Sequence, residues 1–68
     1  MKLQYDSKED IVYINLAKGV YNKTRKISNA VLIDEDIDGK VLGIEILDAK
    51  ENITAFDPLQ TKLQIQNR

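Results

Sequence analysis

The sequence predicts a mainly β (α+β) domain: a small antiparallel β-meander of four to five short strands with one or two short C-terminal helical segments. Three observations predict it. Short runs rich in β-branched and aromatic residues recur between residues 3 and 47, each bounded by polar or Gly positions. The last two runs flank Asp38-Gly39, a strong hairpin signal because Gly39 supplies the positive φ that such a turn requires. After Leu47 the alternation stops and helix-start signals replace it.

The elements follow in order. Residues 3–5 form a brief strand, and the polar loop Asp6-Ser7-Lys8-Glu9-Asp10 has hairpin length. In residues 11–16, alternation puts Val12, Ile14 and Leu16 on one face and Ile11, Tyr13 and Asn15 on the other. Gly19 ends this strand. Residues 24–28 form a weaker, polar strand that suits a sheet edge, where charge discourages pairing with other chains. Residues 30–33 and 41–47 carry the clearest strand signals.

Register follows from what one buried face allows. A two-residue loop at Asp38-Gly39 sets Ile37 opposite Lys40, Ile33 opposite Ile44 and Val31 opposite Ile46. A four-residue loop over 36–39 sets Val31 opposite Ile44, Ile33 opposite Leu42 and Glu35 opposite Lys40. Both place Val31, Ile33, Leu42, Ile44 and Ile46 on one apolar face, with Asp34, Asp36 and Glu45 on the other beside Leu32, Gly43 and Leu47. A three-residue loop would set Val31 opposite Glu45, so the even loops are expected.

Beyond residue 50 the domain gives way to an extension, 51–68, read as a short helix or a partly ordered tail. Asp48 is a candidate cap for a turn through Asn52, with Glu51 three residues on. Asp57-Pro58 is a second helix start, and Leu59 and Leu63 would share a face of that helix. Residues 63–66, Leu-Gln-Ile-Gln, also fit a frayed strand.

Composition bounds the function. Sixty-eight residues make one domain at most, and a chain this short is marginally stable alone. It has no Cys and no His, so no disulfide, thiolate site or imidazole is available. Self-association, most simply as a dimer, would complete the small core. The hydrophobic content of 43% and charged content of 31% are those of a folded protein. The N-terminus is too polar for a signal peptide and no run is long enough to span a bilayer, which makes a cytoplasmic, membrane-free location the expectation.

The run Asp34-Glu35-Asp36-Ile37-Asp38-Gly39 with Glu45 fits the calcium-loop pattern D-x-[DN]-x-[DN]-G-x5-E at every specified position. Such a loop needs the last Glu folded back onto the ion from an exit helix. Here Val41, Leu42, Gly43, Ile44, Ile46 and Leu47 surround Glu45 and read as a strand. Seven residue steps at about 3.3 Å each carry Glu45 roughly 23 Å from Asp38. Calcium held by Asp34, Asp36, Asp38 and Glu45 is therefore a distant alternative to a hairpin turn.

Enzymatic chemistry is poorly supplied without His or Cys, and no phosphate-binding glycine motif occurs. The expectation is no enzyme and no cofactor. The net charge of −1 is unevenly spread, and Lys18, Lys23, Arg25 and Lys26 form a stretch free of acids. With Tyr5, Tyr13 and Tyr21 nearby, that stretch is a candidate nucleic-acid contact or autoregulatory surface, the alternative to a protein-binding role.

The opening Lys2-Leu3-Gln4-Tyr5-Asp6 and the strand Val12-Tyr13-Ile14-Asn15-Leu16 resemble a family of short bacterial proteins, the domain of unknown function 2283. The closing segment carries the more specific resemblance: Val31-Leu32-Ile33-Asp34, Asp38-Gly39, Val41, and Gly43-Ile44-Glu45-Ile46-Leu47-Asp48-Ala49. The resemblance spans about residues 2 to 50. Ala30 stands where many members have Gly. The resemblance implies a compact β-rich fold and, because the family has no established activity, offers no catalytic residues to carry over. Similar proteins are often encoded beside small toxins, so it also implies an antitoxin-like role that sequesters a protein partner encoded nearby.

Overall fold

The computed structural model describes residues 1–58 and shows a five-stranded antiparallel sheet with one short helix. The strands are β1 (Lys2–Asp6), β2 (Ile11–Asn15), β3 (Lys23–Lys26), β4 (Val31–Glu35) and β5 (Val41–Ile46), followed by α1 (Ala49–Asn52). The mainly β class is as expected from the sequence. Leu59, Leu63 and the Leu-Gln-Ile-Gln run lie outside the described residues.

The strand order is β1-β2-β5-β4-β3. It departs from a simple meander at one join. β2 pairs with β5, and residues 16–22 carry the chain across the sheet end to β3 at the far edge. The Leu16 and Ala17 N–H groups both donate to the Leu42 carbonyl, and the Asn22 N–H donates to the Glu35 carbonyl, so the crossover is tied at both ends. β3 is an edge strand, exposed along its whole length, as its polarity predicts.

Pairing stacks the apolar residues into rows. Leu3, Ile14, Ile44 and Ile33 form one row, and Tyr5, Val12, Ile46 and Val31 form the next. Both rows lie on one face because opposed residues of an antiparallel pair point the same way. The other face carries Tyr13, Glu45 and Leu32 in one row and Asn15, Gly43 and Asp34 in another.

The hairpin tip corrects the expected loop. The Asp36 N–H donates to the Lys40 carbonyl and the Gly39 N–H to the Asp36 carbonyl, which leaves a three-residue loop of Ile37, Asp38 and Gly39. Gly39 takes φ 80°, the left-handed conformation usual after such a turn. A register shift between Asp34 and Glu35 then restores Ile33 opposite Ile44 and Val31 opposite Ile46. A β-bulge thus reconciles an odd loop with the even register that burial requires. Glu35 faces Val41 instead of Lys40, and Leu42 leaves the apolar rows to lie against Gly19.

A second correction concerns the cap of α1. Asp48 adopts φ 48° and makes no side-chain cap bond. Asp10, in the β1–β2 turn, supplies the acceptors instead: its carbonyl takes the Ala49 N–H at 3.0 Å and its carboxylate the Lys50 N–H at 3.3 Å. This docks the helix on the β1–β2 turn. Phe56 then meets the Tyr5 ring edge-on, 5.1 Å between centroids. Among the described residues only Val12 and Ala49 are buried apolar side chains.

Candidate functional site

The acidic hairpin resolves into two separate structures. Asp36 builds the turn: its Oδ1 accepts the N–H groups of Asp38 and Lys40, both at 2.9 Å. Asp38 is exposed at the tip. Asp34 and Glu45 stand on the sheet, on one face of the adjacent strands β4 and β5. Among the described residues, no three His, Cys, Asp or Glu side chains are grouped to hold a metal ion. The strand geometry separates Glu45 from the tip, as its β-branched neighbours imply.

Asp34 and Glu45 nevertheless interact. Burial, a side-chain hydrogen bond with Asp34 and the Asp34 charge raise the Glu45 pKa above its ordinary value. Tyr13 stands opposite Glu45 on β2, and burial together with the Glu45 charge raises its pKa as well. The Thr24 hydroxyl donates to Asp34 Oδ1 at 2.7 Å, which commits its proton. The Tyr21 hydroxyl, 2.7 Å from Thr24 Oγ1, therefore donates to Thr24. The result is a polar line, Tyr21 to Thr24 to Asp34 to Glu45, across β3, β4 and β5. A hollow of about 310 Å³ opens beside it, walled by Asn15, Lys18, Tyr21, Leu42 and Gly43.

The basic residues do not form one patch. Alternation along β3 sends Lys23 and Arg25 to the apolar-row face and Lys26 to the face of Leu32. Lys18 sits in the crossover, at the hollow beside Asp34. Arg25 is also engaged: its Nε and Nη2 both reach Glu35 Oε2 at 2.9 Å. Glu35 is 5% exposed, a buried carboxylate at the end of the apolar face. The period of two along β4 puts Glu35 in phase with Val31 and Ile33, a legible signal that the sequence reading passed over. The Tyr5 hydroxyl donates to Asp10 Oδ1 at 2.7 Å, a contact with no signature in the sequence.

The apolar face is a further candidate surface. Ile14, Ile33, Ile44 and Ile46 are only partly covered by the described chain. No helix among the described residues is long and apolar enough to cross a membrane.

No curated protein and no solved structure matches the chain. A family model, described as a protein of unknown function (DUF2283), matches residues 2–50, which span all five strands and the start of α1. The chain belongs to the domain of unknown function 2283 family.

Proposed function

We propose that this chain is a non-enzymatic protein-binding module. It works as a homo-oligomer, with a dimer favoured, and sequesters a protein partner encoded nearby, as an antitoxin does. The observation that supports this reading is that the sheet is single-layered among the described residues. A sheet with one apolar face needs a second layer against it. Among the described residues, a helix of four residues and Phe56 provide little of that layer. A partner protein laid on the Ile14, Ile33, Ile44 and Ile46 face would supply the rest. The proposed location is cytoplasmic.

Co-expression with the product of the adjacent gene, followed by pull-down and light scattering, tests the reading. A stable complex of defined stoichiometry is the expected result. A monomer that co-purifies with no neighbour would sink it. Nucleic-acid contact through Lys18, Lys23, Arg25 and Lys26 is the weaker reading, because Arg25 is tied to Glu35 and Lys23 and Lys26 point to opposite faces.

A further inference from the structure

The sheet has two free edges among the described residues, and they are unlike. β3 is short and carries three cations in four residues, Lys23, Arg25 and Lys26. Antiparallel pairing of β3 with its own copy about Thr24 would set Lys23 against the partner's Arg25, and pairing about Arg25 would set that cation against its own counterpart, so this edge repels itself. β1 is Lys2-Leu3-Gln4-Tyr5-Asp6, with opposite charges at its two ends and no Pro or bulge between them. Alternate residues of β1 turn their N–H and C=O groups away from β2, where no strand among the described residues pairs with them.

We propose that two copies join edge to edge along β1, antiparallel about a two-fold axis through Gln4. Every pair in that register is complementary. Lys2 meets the partner's Asp6, Leu3 meets the partner's Tyr5, and Gln4 meets its own counterpart. Leu3 and Tyr5 lie on the apolar face in each copy, so the apolar rows run unbroken across the junction. The product is a ten-stranded sheet, five strands from each copy. The contact is isologous, so it closes at two copies and does not propagate. A one-residue slip of register would move Leu3 and Tyr5 out of step with the partner's apolar rows. This inference rests on the reading of the chain as a self-associating module and names the surface by which it associates.

The absence of Cys makes the test clean. In this register the two Gln4 Cα atoms stand directly opposite, within the range a disulfide spans. Gln4→Cys in the full chain, oxidised in air, is expected to give a covalent dimer at least about tenfold faster than Lys26→Cys, which reports random collision from the other edge. Lys2→Glu, which sets a carboxylate against the partner's Asp6, is expected to shift wild-type dimer toward monomer. Lys2→Glu with Asp6→Asn is expected to recover the dimer, since Asn keeps the acceptor that Asp6 offers to the Lys8 and Glu9 N–H groups. Circular dichroism confirms that each variant is folded. A wild type that dimerises while Gln4→Cys cross-links no faster than Lys26→Cys overturns the β1 junction and leaves self-association standing. A wild type that stays monomeric at millimolar concentration overturns the junction and the oligomeric part of the reading above it.

Discussion

The Arg25 guanidinium reaches across the β3–β4 pair and places two nitrogens on a single oxygen of Glu35, each at 2.9 Å. Glu35 is buried at the end of the apolar face, whereas the Arg25 side chain is half exposed. Removing the cation strands a buried charge, which costs more than the pair itself contributes. Arg25→Ala is expected to lower stability by about 2 kcal/mol, below the usual range for a fully buried pair because water reaches Arg25. Arg25→Leu combined with Glu35→Leu should recover most of that loss. Urea unfolding checks both, and a double variant no more stable than Arg25→Ala would refute the account.

The hairpin glycines are expected to resist substitution for different reasons. A Cβ on Gly43 would stand 2.9 Å from the Ile14 carbonyl oxygen, in the backbone of the adjacent strand. Gly43→Ala should therefore push β2 and β5 apart and cost about 1–3 kcal/mol. A Cβ on Gly39 meets nothing within 4 Å, but φ 80° strains any L side chain there. Gly39→Ala should cost about 1 kcal/mol, with the β2–β5 amide protection unchanged. Hydrogen exchange separates the two cases, because only Gly43→Ala should expose the Ile14 and Ile44 amides.

Glu45 sets a pH dependence of stability. Its folded pKa is raised by burial and by Asp34, so the folded state holds a proton that the unfolded chain has released. The associated stability is fully present below the ordinary Glu value of about 4.3 and is lost as pH rises through the raised folded value. Glu45→Gln has no such proton to lose. Urea midpoints across mildly acidic to neutral pH should fall for the wild type relative to Glu45→Gln, and parallel profiles would contradict the assignment.

Tyr5 should be a late tyrosine. Its hydrogen bond to Asp10, burial, and the Asp10 and Asp6 charges push its pKa up to about 12. Stability linked to that phenol persists below its ordinary value near 10 and is lost as pH rises toward 12. Asp10→Asn should bring the phenolate absorbance of Tyr5 back toward the ordinary range. The same substitution weakens the acceptor for the Lys50 N–H and should fray α1. An unchanged alkaline titration would show that Asp10 does not hold the phenol.

Asp36 is expected to matter as a turn residue and not as a metal ligand. Asp36→Ala removes the acceptor for two backbone N–H groups and should cost about 1–2 kcal/mol, whereas Asp36→Asn should be close to neutral. If calcium addition raised the melting temperature of the wild type but not of Asp36→Asn, the turn interpretation would fail.

The fold was legible wherever a local pattern carried it. Val31, Ile33, Ile44 and Ile46 alternate strongly enough to specify both strands and an even register, though not which of the two even registers forms. The bulge was not legible, because it arises from a conflict between two local preferences. The three-residue turn that Asp36 and Gly39 form is odd, and burial of the isoleucines demands an even count; Leu42 absorbs the difference. Contacts far apart in sequence were hidden for another reason. Asp10 serves α1 from forty positions away, and nothing near either residue announces it. The Glu35 phase on β4 was legible, but its partner Arg25 becomes evident only once β3 is known to lie beside β4.

The pairing of β2 with β5 also sets how the molecule divides. Residues 2–15 and 23–46 are each held together by pairings between chain neighbours, and β2 with β5 is the strand pairing that joins the two pieces. The crossover 16–22 tethers them without belonging to any strand. A break in that tether would leave two fragments, each able to form its own hairpins, that must find each other through the β2–β5 pairing and the docking of α1 and Phe56 on Asp10 and Tyr5. The chain is thus laid out as a natural complementation pair, and reassembly of its halves would report on the β2–β5 pairing together with the docking of α1.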